Sequence, residues 1–227
     1  MAPNREGGGP NTGVRPVSLS ALKPKNSPVD AQQKGISTMS HHVQSGDWPV
    51  APVANPITPG IRIGHIHLRV ADLDRSLRFY CAVLGFELTQ YRGERAALIS
   101  AGGYHHHIAL NTRESLGGAS PPKGSTGLDH FAILYPTRAG LADALSRLVA
   151  ANIGFERVSD HGVSESVYVR DPDGIVIELS SDRPAEQWPR TTTGDLAAGD
   201  GPLDLQDLLQ SAEPKAGVMT PDRQNSK

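Results

Sequence analysis

Cysteine is almost absent: Cys81 stands alone in a chain of 227 residues, so no internal disulfide can form. That fits a reducing compartment. Aromatic residues make up only 5%, which leaves few rings (Tyr91, Tyr104, Phe131, Tyr168) to stack against a ligand. No run of about 18 apolar residues occurs, so nothing reads as a membrane span. Neither sign of charge dominates: 22 Lys and Arg stand against 24 Asp and Glu, a net charge of −2. Without a basic stripe, nucleic-acid binding has no electrostatic footprint. The first residues lack the charged-then-apolar pattern of a secretory signal, and the expected location is the cytoplasm.

Proline and glycine are unevenly spread. Nine of the 18 prolines lie in residues 1–60 and five more follow residue 182, leaving four in the 122 residues between. Gly and Pro together fill 16 of the first 60 positions, a level typical of disordered sequence. The folded unit is therefore read as 61–182, with 1–60 a disordered extension and 183–227 a mostly disordered tail. Five Lys and Arg against two Asp and Glu in residues 1–40 leave a transit peptide as the weaker alternative. Met39 is an alternative translation start. Within the second tail, Leu203, Leu205, Leu208 and Leu209 predict a short amphipathic helix over 202–210.

Two similar halves divide the folded unit, at 61–112 and 127–182. In the first, Ile61 to Val70 alternates like a strand, with Gly64, Ile66, Leu68 and Val70 on one side and Ile63, His65, His67 and Arg69 on the other. Asp72 suits an N-cap. Leu73, Leu77, Tyr80, Cys81 and Leu84 then recur at helical spacing, and Gly85 ends the helix. Strands are predicted over 86–91, 96–100 and 106–111. The second half repeats the order: a strand at 128–134, a helix after Thr137, then strands near 155–159, 164–170 and 175–180. Asp171-Pro172-Asp173-Gly174 is the turn before the last strand. Each half is β-α-β-β-β and too small to bury its own sheet face, so the two are expected to pair.

Seven of the nine histidines fall in this unit. His65 and His130 occupy matching places on the first strand of each half. Glu178 sits in an apolar strand with Ile177 and Leu179 pointing the other way, so its carboxylate needs a partner. Two imidazoles and one carboxylate are the donor set of the facial triad that suits non-haem Fe(II) and oxygen chemistry. On spacing alone, scattered histidines and a Glu178–Arg pair fit equally well.

The residues Gly64-His65-Ile66-His67-Leu68-Arg69-Val70, Asp72-Leu73, Ser76, Phe79-Tyr80 and Val83-Leu84-Gly85-Phe86 resemble the opening of a vicinal oxygen chelate module. That superfamily holds glyoxalase I, bleomycin-resistance proteins and extradiol ring-cleaving dioxygenases. Leu128-Asp129-His130-Phe131, Tyr168-Val169-Arg170-Asp171-Pro172-Asp173-Gly174 and Ile177-Glu178-Leu179 resemble the second module. The resemblance covers about 61–182 and neither tail. It implies an α+β fold: two paired βαβββ modules forming a curved mixed sheet around a metal cleft. Tyr104-His105-His106-His107-Ile108-Ala109-Leu110 is similar to the strand that carries the acid–base histidine of catechol 2,3-dioxygenase-type enzymes, with His106 the best match. His161-Gly162-Val163-Ser164 resembles the loop bearing a second active-site histidine. Tyr168 falls where those enzymes hydrogen-bond substrate.

By the same resemblance His65, His130 and Glu178 ligate Fe(II), with Mn(II) as the alternative ion. The implied reaction is extradiol cleavage of a catechol by O2. His106 then serves as acid, Tyr168 as a donor to the ring oxygen or an intermediate, and His161 in orienting substrate or shuttling a proton. Strand alternation turns His105 and His107 away from His106, although a register slip would bring His107 into the cleft. His67 shares a side with His65 and reads as a supporting residue, and Cys81 as a core residue. Many relatives in this group use four modules, whereas this chain has one pair, so homo-oligomerisation is left open. Two other readings stand: a glyoxalase-like or thiol-transferase metalloenzyme, and a metal-free small-molecule-binding resistance protein. Glyoxalase I typically has a glutamate where this chain has His107, which weighs against the former.

Overall fold

Asp72 accepts from the backbone N–H of Arg75 at 2.9 Å, and Thr137 from that of Gly140 at 3.1 Å. Each cap begins the helix of one module. The computed structural model describes residues 57–212. The first module runs β1 (Ile66–Arg69), α1 (Leu73–Leu77) continuing as a π-helical turn (Arg78–Val83), β2 (Glu87–Tyr91), β3 (Ala96–Ser100) and β4 (Ile108–Asn111). The second runs β5 (His130–Leu134), α2 (Arg138–Ala150), β6 (Arg157–Asp160), β7 (Ser164–Arg170) and β8 (Val176–Asp182). Both are βαβββ, as the alternation of periods predicts.

The sheets have equivalent orders, β1-β4-β3-β2 and β5-β8-β7-β6. In each, the first strand runs parallel to the last and lies at the sheet edge. Hydrogen bonding does not pass from one sheet to the other, so a single chain has two four-stranded mixed sheets and two free first-strand edges. β1 is shorter than the alternation of 61–70 predicts. Its ladder partner β4 begins only at Ile108, and the residues before Ile66 have no strand opposite. Ile61 and Ile63 are left exposed.

One apolar core spans both modules. Leu68, Val70 and Tyr80 of the first are continuous with Leu141, Leu145, Leu148, Ile177 and Leu179 of the second. The joint is specific. Gly85 has φ +89°, and a Cβ there would lie 2.9 Å from a guanidinium nitrogen of Arg147 on α2. The positive φ selects glycine, whereas the Arg147 guanidinium is the end of a long side chain that can give way. The wholly buried Tyr80 donates its hydroxyl to Asp171 Oδ2 at 3.0 Å. The other oxygen of Asp171 accepts the N–H groups of Asp173 and Ile175, fixing the Asp171–Gly174 turn. Asp173 in turn accepts from Ala71 N–H at 3.1 Å and pairs with Arg75. The turn of module 2 is thus bolted to the helix of module 1.

Composition predicts a mostly disordered 183–227 with a short helix over 202–210; the helix is present at Leu205–Gln210, and the rest of 183–212 is also packed along module 2. Asp160 and Gly201 exchange backbone hydrogen bonds at 3.0 and 2.7 Å. A helix, α3 (Leu205–Gln210), is capped by Asp204 and rests on α2 with Leu208 fully buried. The leucines supply apolar surface that a residue average over the tail conceals. The expected extension 1–60 and the end of the tail lie almost wholly outside the described residues. Among those described, no helix is long and apolar enough to cross a membrane.

Candidate metal and active site

Alternation on β8 places Ile177 and Leu179 in the core and Glu178 on the opposite face. Register then decides its neighbours: Ala132 of β5 on one side and Tyr168 of β7 on the other. Ser166, one step along the same face of β7, donates to Glu178 Oε1 at 2.6 Å. His130 Nε2 lies 3.1 Å from Glu178 Oε2, and His130 Nδ1 lies 2.7 Å from Asp129 Oδ2. Both imidazole nitrogens therefore face carboxylate oxygens. A neutral ring can donate from only one of them. The pair is satisfied by an imidazolium, or by a cation held between Nε2 and Glu178 with Asp129 orienting the ring. Metal–nitrogen bonds of about 2.1 Å put adjacent ligand atoms about 3 Å apart, which is the separation found here. The donor set suits a divalent ion, and the 3.1 Å spacing matches both adjacent ligands of an ion and a direct N–H···O hydrogen bond.

Beside this pair stand His161 and Tyr168. His161 Nδ1 lies 2.9 Å from the Gly199 carbonyl, so this nitrogen carries the proton. Nε2 is then an acceptor, and the Tyr168 hydroxyl donates to it at 3.0 Å. His161 Nε2 is also 3.8 Å from Glu178 Oε1. Burial, reinforced by the Glu178 carboxylate, pushes the Tyr168 phenol above its ordinary range, against the opposing pull of Arg157. The Arg157 guanidinium sits 4.1 Å over the Tyr168 ring. The 183–212 segment supplies Gly199 and Asp200, whose carboxylate is 3.1 Å from His161 Nδ1 and accepts from Ser159 at 2.9 Å. A hollow of about 390 Å³ opens here, lined by His161, Gly162, Pro189 and Gly199 among others. A larger one of about 630 Å³, lined by Asp72, Arg75, Glu94 and Leu116 among others, contains none of the histidines.

The other histidines gather on module 1. His65, just before β1, and His67 within it are both exposed, and their rings lie 5.1 Å apart. The His106 ring is 4.3 Å from His65, and ligand nitrogens of all three fall within 4.8 Å of one another. His106 precedes β4 rather than lying in it, because the turn at Gly102 and Gly103 delays the strand to Ile108. Simple alternation therefore fails for the His105–His107 run. His107 folds back on the hairpin, with Nδ1 2.9 Å from Ser100 Oγ. His105 Nδ1 meets His106 Nδ1 at 2.7 Å. Partial burial, then His65, His105, His67 and Arg92, holds the His106 imidazole below its usual pKa.

Of the six residues singled out from sequence, Glu178, His130, His161 and Tyr168 come together on sheet β5–β8, and His65 and His106 on sheet β1–β4. Among the described residues, His65, His67 and His106 form the only set of three or more histidine, cysteine or carboxylate groups close enough to share an ion. His65 therefore does not join His130 and Glu178 within one chain. Asp129, Ser166 and Asp200 escaped the sequence reading. Asp129 adjoins a proposed ligand in sequence and was legible; Ser166 and Asp200 are brought in by register and by the C-terminal segment.

Residues 62–179, more than half of the chain, match the family model of the glyoxalase/bleomycin resistance protein/dioxygenase superfamily. The chain belongs to that superfamily. It is 39% identical over 150 residues to the catechol-2,3-dioxygenase of Bacillus subtilis, covering 66% of this chain and 52% of that protein. It thus spans about half the length of that relative. It is 28% identical to a biphenyl-2,3-diol 1,2-dioxygenase of Rhodococcus globerulus, across 72% of this chain and 89% of the relative. A probable lactoylglutathione lyase of Synechocystis is 30% identical, across 51% of this chain and 91% of the relative. That superfamily holds glyoxalases, bleomycin resistance proteins and dioxygenases.

Proposed function

We infer that the protein is an Fe(II)-dependent extradiol dioxygenase that cleaves a catechol-type ring with O2. The reading is carried by the His130–Glu178 pair at 3.1 Å, with Asp129 behind the imidazole and Tyr168 and His161 beside the carboxylate. The match to two ring-diol dioxygenases supports it. His65, His130 and Glu178 are the proposed ligands, with Mn(II) as the alternative ion. A bound Fe(II) supplies a path for electron density from an aromatic diol to O2 without a separate reductant.

The chain's own residues do the rest. Ser166, donating to Glu178 Oε1 at 2.6 Å, holds the carboxylate in one orientation. Tyr168 is a buried donor, kept protonated at neutral pH, and is available to a diol oxygen. His161 anchors Tyr168 from one side and passes a proton toward the Gly199–Asp200 surface. His106, whose pKa is held below the usual value by burial and then by its imidazole neighbours, accepts a proton from substrate and returns it as the ring opens.

Catechol added to anaerobically Fe(II)-loaded protein tests the reading, followed by O2 uptake and visible absorbance. One O2 consumed per catechol, with a yellow product and no activity under Zn(II), is the expected result. Metal-replete protein that leaves every catechol and O2 untouched, yet is active with Ni(II) or Zn(II) on a thiohemiacetal, would instead be a glyoxalase-type enzyme.

A further inference from the structure

We propose that Asp200 is a positioning residue for His161, a role that rests on the functions given above to His161 and Tyr168. With the Gly199 carbonyl, Asp200 holds the His161 proton on Nδ1 and turns the bare Nε2 toward Tyr168. The C-terminal segment 183–212 is then a working part of the site.

Three observations converge. First, alternation turns Arg157 and Ser159 of β6, and His161 just after it, to one side of the chain. All three reach the same oxygen, Asp200 Oδ1. Ser159 Oγ donates to it at 2.9 Å, His161 Nδ1 lies 3.1 Å from it, and an Arg157 guanidinium nitrogen 3.9 Å. Arg157 is also the cation over the Tyr168 ring. Second, the residue before Asp200 clamps His161 at backbone and ring. Gly199 donates its N–H to the His161 carbonyl at 3.1 Å, and its own carbonyl lies 2.9 Å from His161 Nδ1. A free neutral imidazole favours its proton on Nε2, so two acceptors at Nδ1 impose the other tautomer. Third, the loop after His161 is shaped to receive the segment. Gly162 has φ +75°, and a Cβ there would lie 2.9 Å from Pro189 Cγ, an atom of a rigid ring.

The two modules alone do not supply these acceptors. Gly199 and Asp200 lie beyond residues 62–179, the stretch that matches the family model. Stability does not account for the arrangement either. The Asp200 side chain is 68% exposed, and an ion pair in such a setting contributes little. Its effect is directional. With the proton fixed on Nδ1, Nε2 can only accept, and the Tyr168 hydroxyl has that acceptor in place 3.0 Å away before substrate arrives.

The tautomer can be read directly. Full-length protein labelled with nitrogen-15 at histidine is loaded with Zn(II), so that iron does not broaden the signals. Long-range proton–nitrogen spectra are taken at about pH 8, where an ordinary imidazole is neutral. The His161 signal is the one lost in His161→Gln. In the unaltered protein its proton should sit on Nδ1. Asp200→Ala should move the proton toward Nε2, and Asp200→Asn, which keeps an oxygen acceptor, should restore Nδ1–H. In Fe(II)-loaded protein, Asp200→Ala should lose about 10-fold in kcat for O2 uptake at unchanged iron content, and Asp200→Asn should recover most of it. Both variants should melt within about 4 °C of the unaltered protein. A proton on Nε2 in the unaltered protein overturns the proposal, as does an Asp200→Ala spectrum identical to it. A moved proton with an undiminished rate, or a far larger loss of melting temperature, also overturns it. A tautomer that responds as expected in a protein that consumes no O2 removes the dioxygenase reading and leaves this one standing.

Discussion

Tyr80→Phe isolates the joint that sets the two modules against each other. The side chain is wholly buried and Asp171 nearly so, and the hydrogen bond between them is 3.0 Å long. Phenylalanine keeps the ring packing and removes only the donor. Asp171 Oδ1 still receives two backbone N–H groups, but Oδ2 is left bare in the core. A hydrogen bond to a charged buried group is worth roughly 1.5–3 kcal/mol, so the cost should be about 2 kcal/mol. For a domain of this size that lowers Tm by about 4–8 °C.

The effect has a pH signature. Burial raises the Asp171 carboxyl above its ordinary value, while Tyr80 pulls it partly back. The folded carboxyl therefore takes its proton before the unfolded one, and its contribution to stability grows as pH falls through the folded pKa. Without Tyr80 that pKa lies higher still. The gap between wild type and variant should be widest at neutral pH and narrow on acidification. Thermal melts from pH 7 to 4 measure it. An unchanged Tm at pH 7, or a gap that widens in acid, would refute the argument that Asp171 is ionised and depends on Tyr80.

Three further outcomes are expected. Asp129→Asn keeps an acceptor for His130 Nδ1 but drops its charge. Because Asp129 is 96% exposed, metal affinity should fall by about 10-fold, the low end of the range for such supports, as read by chelator competition. His106→Ala should retain iron and lose about 10²–10⁴-fold in O2 uptake, and a wild-type rate would remove it as the acid. Leu208→Ala should cost about 2–5 kcal/mol in urea unfolding if α3 is part of the folded unit, and nothing measurable if it is a loose tail.

Local rules carried the βαβββ order of both halves, because strand and helix periods, two capping residues and the Asp171–Gly174 turn are written within a few positions. They carried the outward face of Glu178, since Ile177 and Leu179 must be inward. They failed at His105–His107, where the turn at Gly102 and Gly103 breaks the alternation; in the tail the four leucines gave the helix at Leu205–Gln210, but the packing of the segment before it was not legible.

What the sequence by itself determined is the pair of modules and the residue types that carry chemistry. Only the tertiary structure decided their grouping. Register across β8 and β7 gives Glu178 its Ser166 and Tyr168, and the returning segment gives His161 its Gly199 carbonyl. The helix-side joint through Tyr80 and Asp171 ties the two modules together, and β1 and β5 lie at the edges of separate sheets. A contact between strands distant in sequence depends on how two packed layers meet, and side-chain periodicity holds no information about that.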